Sequence, residues 1–514
     1  MRNMKNLLMY TLILGLYVGG SACTNLDEEL EDRFSKDFDP SNQGVGNREN
    51  VNRAQPNDGL QGAFSAVLNG TATNGGFFAV QEAGTDEAVI TQKGGDWYDG
   101  GLYIKMHHHE FTPQTWEIDN TWVQSYGGIF QCNTILAESE TSDEQKAQLK
   151  VLRAYFYWRL MDVFGNIPLV VTAGTDVAQS TRTEAYNFIV SELLDAIPGL
   201  PEGKEEYGRV SQGAAYALLA RIYLNARIYT GNQQYQKAID AADMVINSGI
   251  YNLSPVYSEV FDPKNVGNVE HIFVAPFDES TGTGAAWPMM TLHYPSQLTY
   301  RLQEQPWNGF STLEDFYNSY DDADQRKAAN FIVGPQYDFF GNSLLDLAFD
   351  KADEDGAPLN YTPYINELFP NASRQGGARF GKFSIKIGQR NDADNDFPLL
   401  RYGEVLLNKA EALQRMNGFN DGTAMSLVNE IRARAGATPF TTMTEGEMLA
   451  ERGRELFIEA LRRTDLIRFG VYGNAWWEKQ VDPDAANHII MAISIEQMQA
   501  SASTPYPLVQ NPGY

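Results

Sequence analysis

The strongest constraint on the fold is a recurring pair of helical segments whose inner faces carry small and aromatic residues at helical spacing. Leu149 to Phe164 is dense in aromatic and aliphatic side chains, with Ala154 and Tyr157 three apart, and Gln212 to Tyr229 repeats the arrangement with Ala220 and Tyr223. A turn at Gly231-Asn232 leads into a second segment that carries Ala238, Ala242 and Val245 on one face and meets a stop at Gly249. A third pair runs from Leu399 to Met416 and, past Gly418 and Gly422, from Ala424 to Ala435. Small residues at spacings of three and four let two helices approach closely. These segments therefore predict stacked helical hairpins over about 149–250 and 399–470, similar to tetratricopeptide packing but with unequal loops and no strict repeat of about 34 residues.

Between the hairpins lie long segments rich in Gly, Pro, Asn, Asp and aromatics: Gly70 to Thr115, Tyr251 to Phe310, and Gly334 to Asp396. Loops of this length inside a compact domain are usually functional. Short strand-like pieces occur within and beside them, at His271 to Ala275 and Phe383 to Ile387. The expected class is mainly α: a tetratricopeptide-like helical hairpin scaffold with long irregular loops and a few short strands.

The N-terminus adds an address. Arg2 and Lys5 precede an apolar run from Leu7 to Val18, and Gly19, Gly20, Ser21 and Ala22 lead into Cys23. The run falls short of the roughly 20 apolar residues of a spanning helix, so residues 1–22 read as a lipoprotein leader and Cys23 as the acylated first residue after cleavage. Asp27, Glu28, Glu29, Glu31 and Asp32 crowd behind it, and residues 23–55 read as an acidic, flexible tether to a single domain over 56–514. The whole chain carries 66 acids against 39 bases, a net charge of −27, and loss of Arg2 and Lys5 with the leader makes it −29. Such a surface repels nucleic acid and anionic membranes. Cys132 has no partner once Cys23 is acylated, so neither a disulfide framework nor a Cys-based zinc site can be built.

The C-terminal third carries four separated motifs. Leu400-Arg401-Tyr402-Gly403-Glu404-Val405-Leu406-Leu407-Asn408-Lys409-Ala410-Glu411-Ala412 is followed by Val428-Asn429-Glu430-Ile431-Arg432-Ala433-Arg434-Ala435-Gly436. Glu451-Arg452-Gly453-Arg454-Glu455-Leu456 and Arg462-Arg463-Thr464-Asp465-Leu466-Ile467-Arg468-Phe469-Gly470 come next, and the chain closes on Gln510-Asn511-Pro512-Gly513-Tyr514. Read for spacing alone, Glu451, Glu455 and Glu459 recur every four residues, with Glu459 three and four before Arg462 and Arg463. This describes a salt-bridged helix whose pairs contribute about 0.2–0.5 kcal/mol each, over a buried stripe of Leu456, Phe457, Ala460 and Leu461.

The ordered series resembles the SusD/RagB family of outer-membrane nutrient-binding lipoproteins. The resemblance spans essentially the whole mature chain and implies a SusD-like fold. It further implies a non-enzymatic, glycan-binding lipoprotein at the cell surface, anchored in the outer membrane and facing outward. Such a protein forms a lid over a SusC-like TonB-dependent transporter and delivers oligosaccharides to its channel. The acids behind Cys23 also resemble the surface-export signal of such lipoproteins. Two other readings are carried alongside: a surface glycoside hydrolase, which needs two carboxylates about 5–10 Å apart, and a scaffold that binds protein partners through helical hairpins.

The family supplies no fixed sugar-binding motif, so candidate contacts are chosen from local chemistry. A neutral oligosaccharide offers apolar ring faces and a rim of hydroxyls, which calls for exposed aromatic planes beside Asp, Asn, Gln, Arg or His. Asp96-Trp97-Tyr98-Asp99-Gly100-Gly101 is the leading candidate, with Asp86 and Glu87 upstream as hydroxyl acceptors. Trp287, Tyr294, Tyr300 and Trp307 lie in a second aromatic loop. Trp116, Trp122, Trp158, Trp476 and Trp477 are expected to pack. His107, His108 and His109 are read as strand residues on alternating faces and lack the spacing of zinc ligands, so a structural or sugar-adjacent role is expected. No cofactor is required; Asp392, Asp394 and Asp396 alternate like the start of a calcium loop but lack its Gly and distal Glu, which leaves a structural cation such as calcium as the one addition considered.

Overall fold

In the computed structural model, residues 58–204, 206–282, 284–347 and 356–514 are described; the leader, Cys23 and the tether over 23–55 lie outside them. Two short helices, α1 (Gly76–Glu82) and α2 (Leu102–His108), precede α3 (Trp116–Leu136), α4 (Asp143–Phe164), α5 (Arg182–Ala196), α6 (Gln212–Leu224) and α7 (Tyr235–Ile246). After a long irregular stretch come α8 (Tyr402–Asn417), α9 (Gly422–Arg434), α10 (Glu445–Leu456) and α11 (Arg462–Arg468). Several of these begin where a side chain can satisfy free backbone N–H groups. Ser142 and Gln145 form a reciprocal capping box at α4, as do Thr181 and Glu184 at α5 and Thr444 and Glu447 at α10. Asp421 caps α9 by accepting from the Ala424 N–H at 2.8 Å.

The helices pack in the predicted hairpins. Helix α3 lies on α4, α4 on α5, α6 on α7, α7 on α8 and α8 on α9. The centre is α4, in which every residue from Val151 to Phe164 is buried, including the small and aromatic pair Ala154 and Tyr157. Close approach of α3 needs Gly128, where a Cβ would sit 2.4 Å from the Phe156 ring. Strands pair only in twos among the described residues. Strand β1 (Ala88–Ile90) and β2 (His271–Ala275) lie in separate ladders with β3 (Phe310–Thr312) and β4 (Phe397–Arg401) respectively, both antiparallel, with Ala88 opposite Thr312 and Phe397 opposite Ala275. His271–Ala275 is thus a strand as expected. Residues 383–387 are irregular instead, because Phe383 turns inward to stack on Trp287 with ring centroids 4.2 Å apart.

The repeated carboxylates of the third motif differ from the sequence reading. Helix α10 ends at Leu456, and Ile458 and Ala460 take left-handed φ values of 49° and 59°, so Glu459 is not on a helix face with Arg462 and Arg463. All these acids are buried and point into an arginine cluster. The Arg401 guanidinium donates to Glu459 at 2.7 Å, to Glu455 at 2.8 Å and to Glu270 at 3.0 Å. Glu455 also accepts from Arg326 at 3.0 Å and from Arg434, while Lys382 reaches Glu459 at 2.6 Å. These cations hold the Glu455 carboxyl well below the usual carboxylate range against the opposing cost of burial. Arg462 instead pairs with Asp86, and Arg463 with Asp162. Further buried pairs tie the helices together: Arg221 of α6 to Glu404 of α8, and Arg468 of α11 to Glu411 of α8.

The left-handed segment is held from its other side by two acids. Glu82 accepts from the Ala460 N–H at 2.7 Å and Glu87 from the Ile458 N–H at 2.9 Å. The second oxygen of each carboxyl is buried and accepts from no described residue. Burial lifts both, Glu87 to about 7 and Glu82 well above its ordinary value with further help from the charge of Glu87; Asp86 adds to the rise in Glu87 and Arg462 opposes it.

Two outcomes follow from this core. Glu455→Gln leaves Arg401, Arg326 and Arg434 undercompensated and is expected to cost about 3–5 kcal/mol in urea unfolding, the range for breaking a buried ion pair; a loss below about 0.5 kcal/mol would mean the network behaves like a surface pair. A carboxyl whose folded pKa is raised contributes stability that is complete below its unfolded pKa and is lost as pH rises through the folded value. Wild type should therefore lose thermal stability relative to Glu87→Gln as pH rises from about 5 to 8, and parallel curves in differential scanning fluorimetry would contradict the raised Glu87 pKa.

Candidate functional site

The Gly-flanked loop after β1 is closed by its own backbone and by a distant segment. Lys93 and Asp96 exchange backbone hydrogen bonds at 2.9 and 3.2 Å, while the Gln92 and Gly94 N–H groups donate to Leu368 and Pro370 at 2.9 Å. The chain then turns sharply, with φ of 58° at Trp97 and 41° at Asp99, a conformation that costs non-glycine residues free energy and persists where surrounding contacts enforce it. The contacts are visible. The Trp97 indole N–H donates to the Trp307 carbonyl at 2.5 Å, and its ring meets Tyr103 edge-on at 5.7 Å. The 307–309 backbone is itself pinned to the helix Trp287–Thr291 and the residue after it, through Trp307, Gly309 and Asn308 N–H groups donating to Met289, Met290 and Leu292 at 2.7–3.0 Å. Residue 309 must be glycine, since a Cβ there would lie 2.6 Å from the Trp97 ring and 2.8 Å from the Met290 carbonyl. Beneath the loop, buried Lys93 donates to the Thr91 and Gly309 carbonyls, and burial with the nearby charge of Arg379 pushes its pKa well below the ordinary lysine value.

The structure thus brings together Trp97 and Trp307, both half-buried, with Tyr98 standing 53% exposed beside them and Asp96 closing the turn. It does not bring in the remaining candidates as exposed contacts. Trp287 is 2% exposed and sandwiched among Phe78, Phe383 and Phe397, because a tryptophan at the start of a short helix packed on the core turns its ring inward; Tyr294 is 4% exposed beside His293. Both are corrections to the expectation of open loop aromatics. Asp86 is committed to a bidentate pair with Arg462 at 2.7 Å to each oxygen and lines a separate cavity. Glu87 is buried. Trp122 and Trp158 are core residues as expected, whereas Trp116 at the first turn of α3 is half exposed.

The three consecutive histidines close helix α2 and do not lie on a strand. His107 bonds the Trp477 carbonyl at 2.8 Å, and His109, at the left-handed cap, bonds the Gly84 carbonyl at 3.0 Å and stacks on Tyr472 at 4.1 Å. Burial pushes the pKa of His107 down to about 4 and that of His109 to about 3, so both are neutral at pH 7. The alternating aspartates tie two segments together: Asp394 accepts from the Glu279 N–H and from Lys386, and Asp396 from the Phe277 N–H and the Tyr207 hydroxyl. Among the described residues no group of three or more His, Cys, Asp or Glu is arranged to hold a metal ion.

Other aromatics stand out on the same series of loops. Phe340 is 82% exposed on a turn in which Asp338 accepts from the Phe340 and Asn342 N–H groups at 2.9 and 2.8 Å. That turn is fastened to the 296–303 loop by the Phe339 N–H to the Leu298 carbonyl and by Thr299 to the Tyr337 carbonyl. Tyr337, Tyr364 and Phe369 are about half exposed. The sequence signal was available as Asp338-Phe339-Phe340-Gly341-Asn342, a side-chain-capped turn with an aromatic at its tip. The chemistry of this face is that of recognition: fixed aromatic planes and polar edges. The carboxyls that burial lifts toward neutrality, Glu82, Glu87 and Glu117, are at most 1% exposed and bound to backbone N–H groups, which gives a solvent-borne glycoside no access to them as acids.

Residues 269–514 match the sequence profile of the SusD family, and residues 73–224 match that of a family described as starch-binding associating with outer membrane. The starch-binding protein SusD of Bacteroides thetaiotaomicron is 26% identical over 432 residues, 77% of either chain. A SusD superfamily protein from Parabacteroides distasonis superposes with a TM-score of 0.70 at 21% identity, covering 89% of this chain and 98% of that one. Surface glycan-binding protein A from Bacteroides thetaiotaomicron, in complex with laminarihexaose, superposes with a TM-score of 0.67 at 21% identity, over 88% of this chain and 98% of that one. Hairpin scaffold, C-terminal motifs and the two sequence profiles agree, and this chain is a SusD-like protein.

Proposed function

We propose that this protein is a lipid-anchored surface lipoprotein that captures neutral oligosaccharides, without cleaving them, on the face built from Trp97, Tyr98 and Trp307, and passes them to a SusC-like TonB-dependent transporter. The observation that carries the reading is the Trp97–Trp307 hydrogen bond, which fixes two aromatic loops 210 residues apart in sequence and leaves Tyr98 open beside them. Rigid aromatic planes bind sugars at low entropic cost because nothing need be ordered on contact. The relative named as starch-binding and the neighbour holding laminarihexaose support a glucan ligand. The net charge of −27 favours neutral over anionic cargo. Cys23 supplies the outer-membrane anchor under this reading.

A partner surface has its own support. Trp116, Val123 and Phe130 recur every seven residues along α3 and are 48%, 49% and 52% exposed, an apolar stripe left open by the described residues. It suits docking on a transporter.

Two measurements test the reading. Isothermal titration with laminarihexaose and maltohexaose should give binding that weakens by about 1–3 kcal/mol in Tyr98→Ala and in Trp97→Ala, the range for loss of one aromatic stacking partner; full affinity in a combined Trp97, Tyr98 and Trp307 alanine variant would reject this face. Val123→Asp with Phe130→Asp should abolish co-purification of an outer-membrane barrel from the native cell while leaving glycan affinity unchanged.

A further inference from the structure

A cavity of about 390 Å³ opens beside α10 and α11, and none of its lining residues belongs to the Trp97–Trp307 face. Phe316 and Leu449 form its apolar wall, Trp476 and Trp477 stand at one side, and Asp86 and Asn474 are at its polar edge. The tryptophan pair is held rigidly. Trp476 and Lys479 exchange backbone hydrogen bonds at 3.2 and 2.9 Å across a tight turn, Glu478 takes a left-handed φ of 53°, and its carboxylate accepts from the Leu368 N–H at 2.8 Å. The Lys479 ammonium lies 4.1 Å from the centre of the Trp476 ring, while the Trp476 indole N–H is shielded from solvent and donates to no described residue.

The acid is equally fixed. Asp86 meets Arg462 through two 2.7 Å hydrogen bonds, and Arg462 is in turn oriented by donating to the Leu449 carbonyl at 3.0 Å. The Arg462 side chain is 6% exposed and that of Asp86 32%, so each Asp86 oxygen keeps a lone pair that a solvent-side hydroxyl can reach. A paired carboxylate with free acceptor positions, a half-buried tryptophan pair and an apolar wall form the complement of a sugar ring: hydroxyls on the rim and C–H groups on the faces. The charges select among ligands. Arg462 is neutralised by Asp86, and exposed Asp315 adds a negative charge at the mouth, which disfavours anions.

We propose that this cavity is a second saccharide-binding site, taking one or two neutral hexose units independently of the Trp97–Trp307 face. The inference rests on the glycan-binding reading and extends it: two separated sites on one rigid chain hold a long glucan by avidity, raising apparent affinity for polymers more than for short oligosaccharides.

The test is isothermal titration of the chain from residue 24 onward with laminarihexaose and with maltohexaose, read for the number of binding events. Wild type should show two events with at least one of these glycans. Trp477→Ala should weaken one of them by about tenfold or more and leave the other unchanged, and Tyr98→Ala should affect the opposite one. Because Trp477 is partly packed, Ala475→Arg, an exposed substitution at the mouth, serves as the second variant and should remove the same event. A single event that is lost in Tyr98→Ala and untouched in Trp477→Ala and Ala475→Arg overturns the second site while leaving the first standing. Absence of binding by every variant and wild type overturns both.

Discussion

The Arg401 guanidinium, desolvated among Glu270, Glu455 and Glu459, is the contact on which the other levels of this structure depend. It sits where β4 passes into α8, and its partners come from the strand end at Glu270, from the last turn of α10 and from the left-handed segment beyond it. Arg434 of α9 and Arg326 join through the same acids. Ion pairs in water are worth little, but here removal of any member leaves an uncompensated charge in a medium that cannot solvate it. The cost of incompleteness, more than the attraction itself, fixes the arrangement. Reading the same glutamates as surface helix pairs misjudges their worth by about an order of magnitude.

That core reaches the Trp97 and Trp307 loops through a short mechanical chain. Glu82 and Glu87 grip the backbone of Ile458 and Ala460 from one side while Glu459 is held by Arg401 and Lys382 from the other. Between Glu82 and Glu87 runs the turn that feeds β1, and β1 pairs with β3 immediately after Gly309. The Trp97 loop leaves one strand of this ladder and the Trp307 loop enters the other, so their meeting is dictated by the register of three residue pairs. Left-handed backbone at Trp97, Asp99, Arg301 and Asn308 gathers on these loops, as expected where a rigid scaffold imposes a shape on loops that do not choose it.

Much of the scaffold was legible. Small and aromatic residues at spacings of three and four marked α4, α6 and α7, because helices that pack closely on their neighbours need small residues on the buried face. The stop at Gly249 was equally local, whereas the capping boxes at Thr181 and Thr444 became visible in the structure. The site was only partly legible. Glycines around Trp97 correctly announced a loop, yet the same logic failed at Trp287, whose ring is drawn into a stack with Phe383 and Phe397 contributed from about 100 residues away. It failed in the opposite sense at Trp116, which has helical surroundings and an exposed ring. Phe340 was passed over although its turn is written in five consecutive residues.

What the sequence determined by itself was therefore the periodic and the local: the helical hairpins, the acidic surface, and the motifs that resemble those of the SusD family. Tertiary structure alone decided which aromatic rings face water, that Glu459 serves Arg401 in place of Arg462, that Asp86 belongs to a second cavity, and that the Trp97 and Trp307 loops meet. The physical reason is range. Helix propensity and capping act within a few residues of the chain, whereas burial of a ring and neutralisation of a charge depend on partners that sequence distance does not reveal.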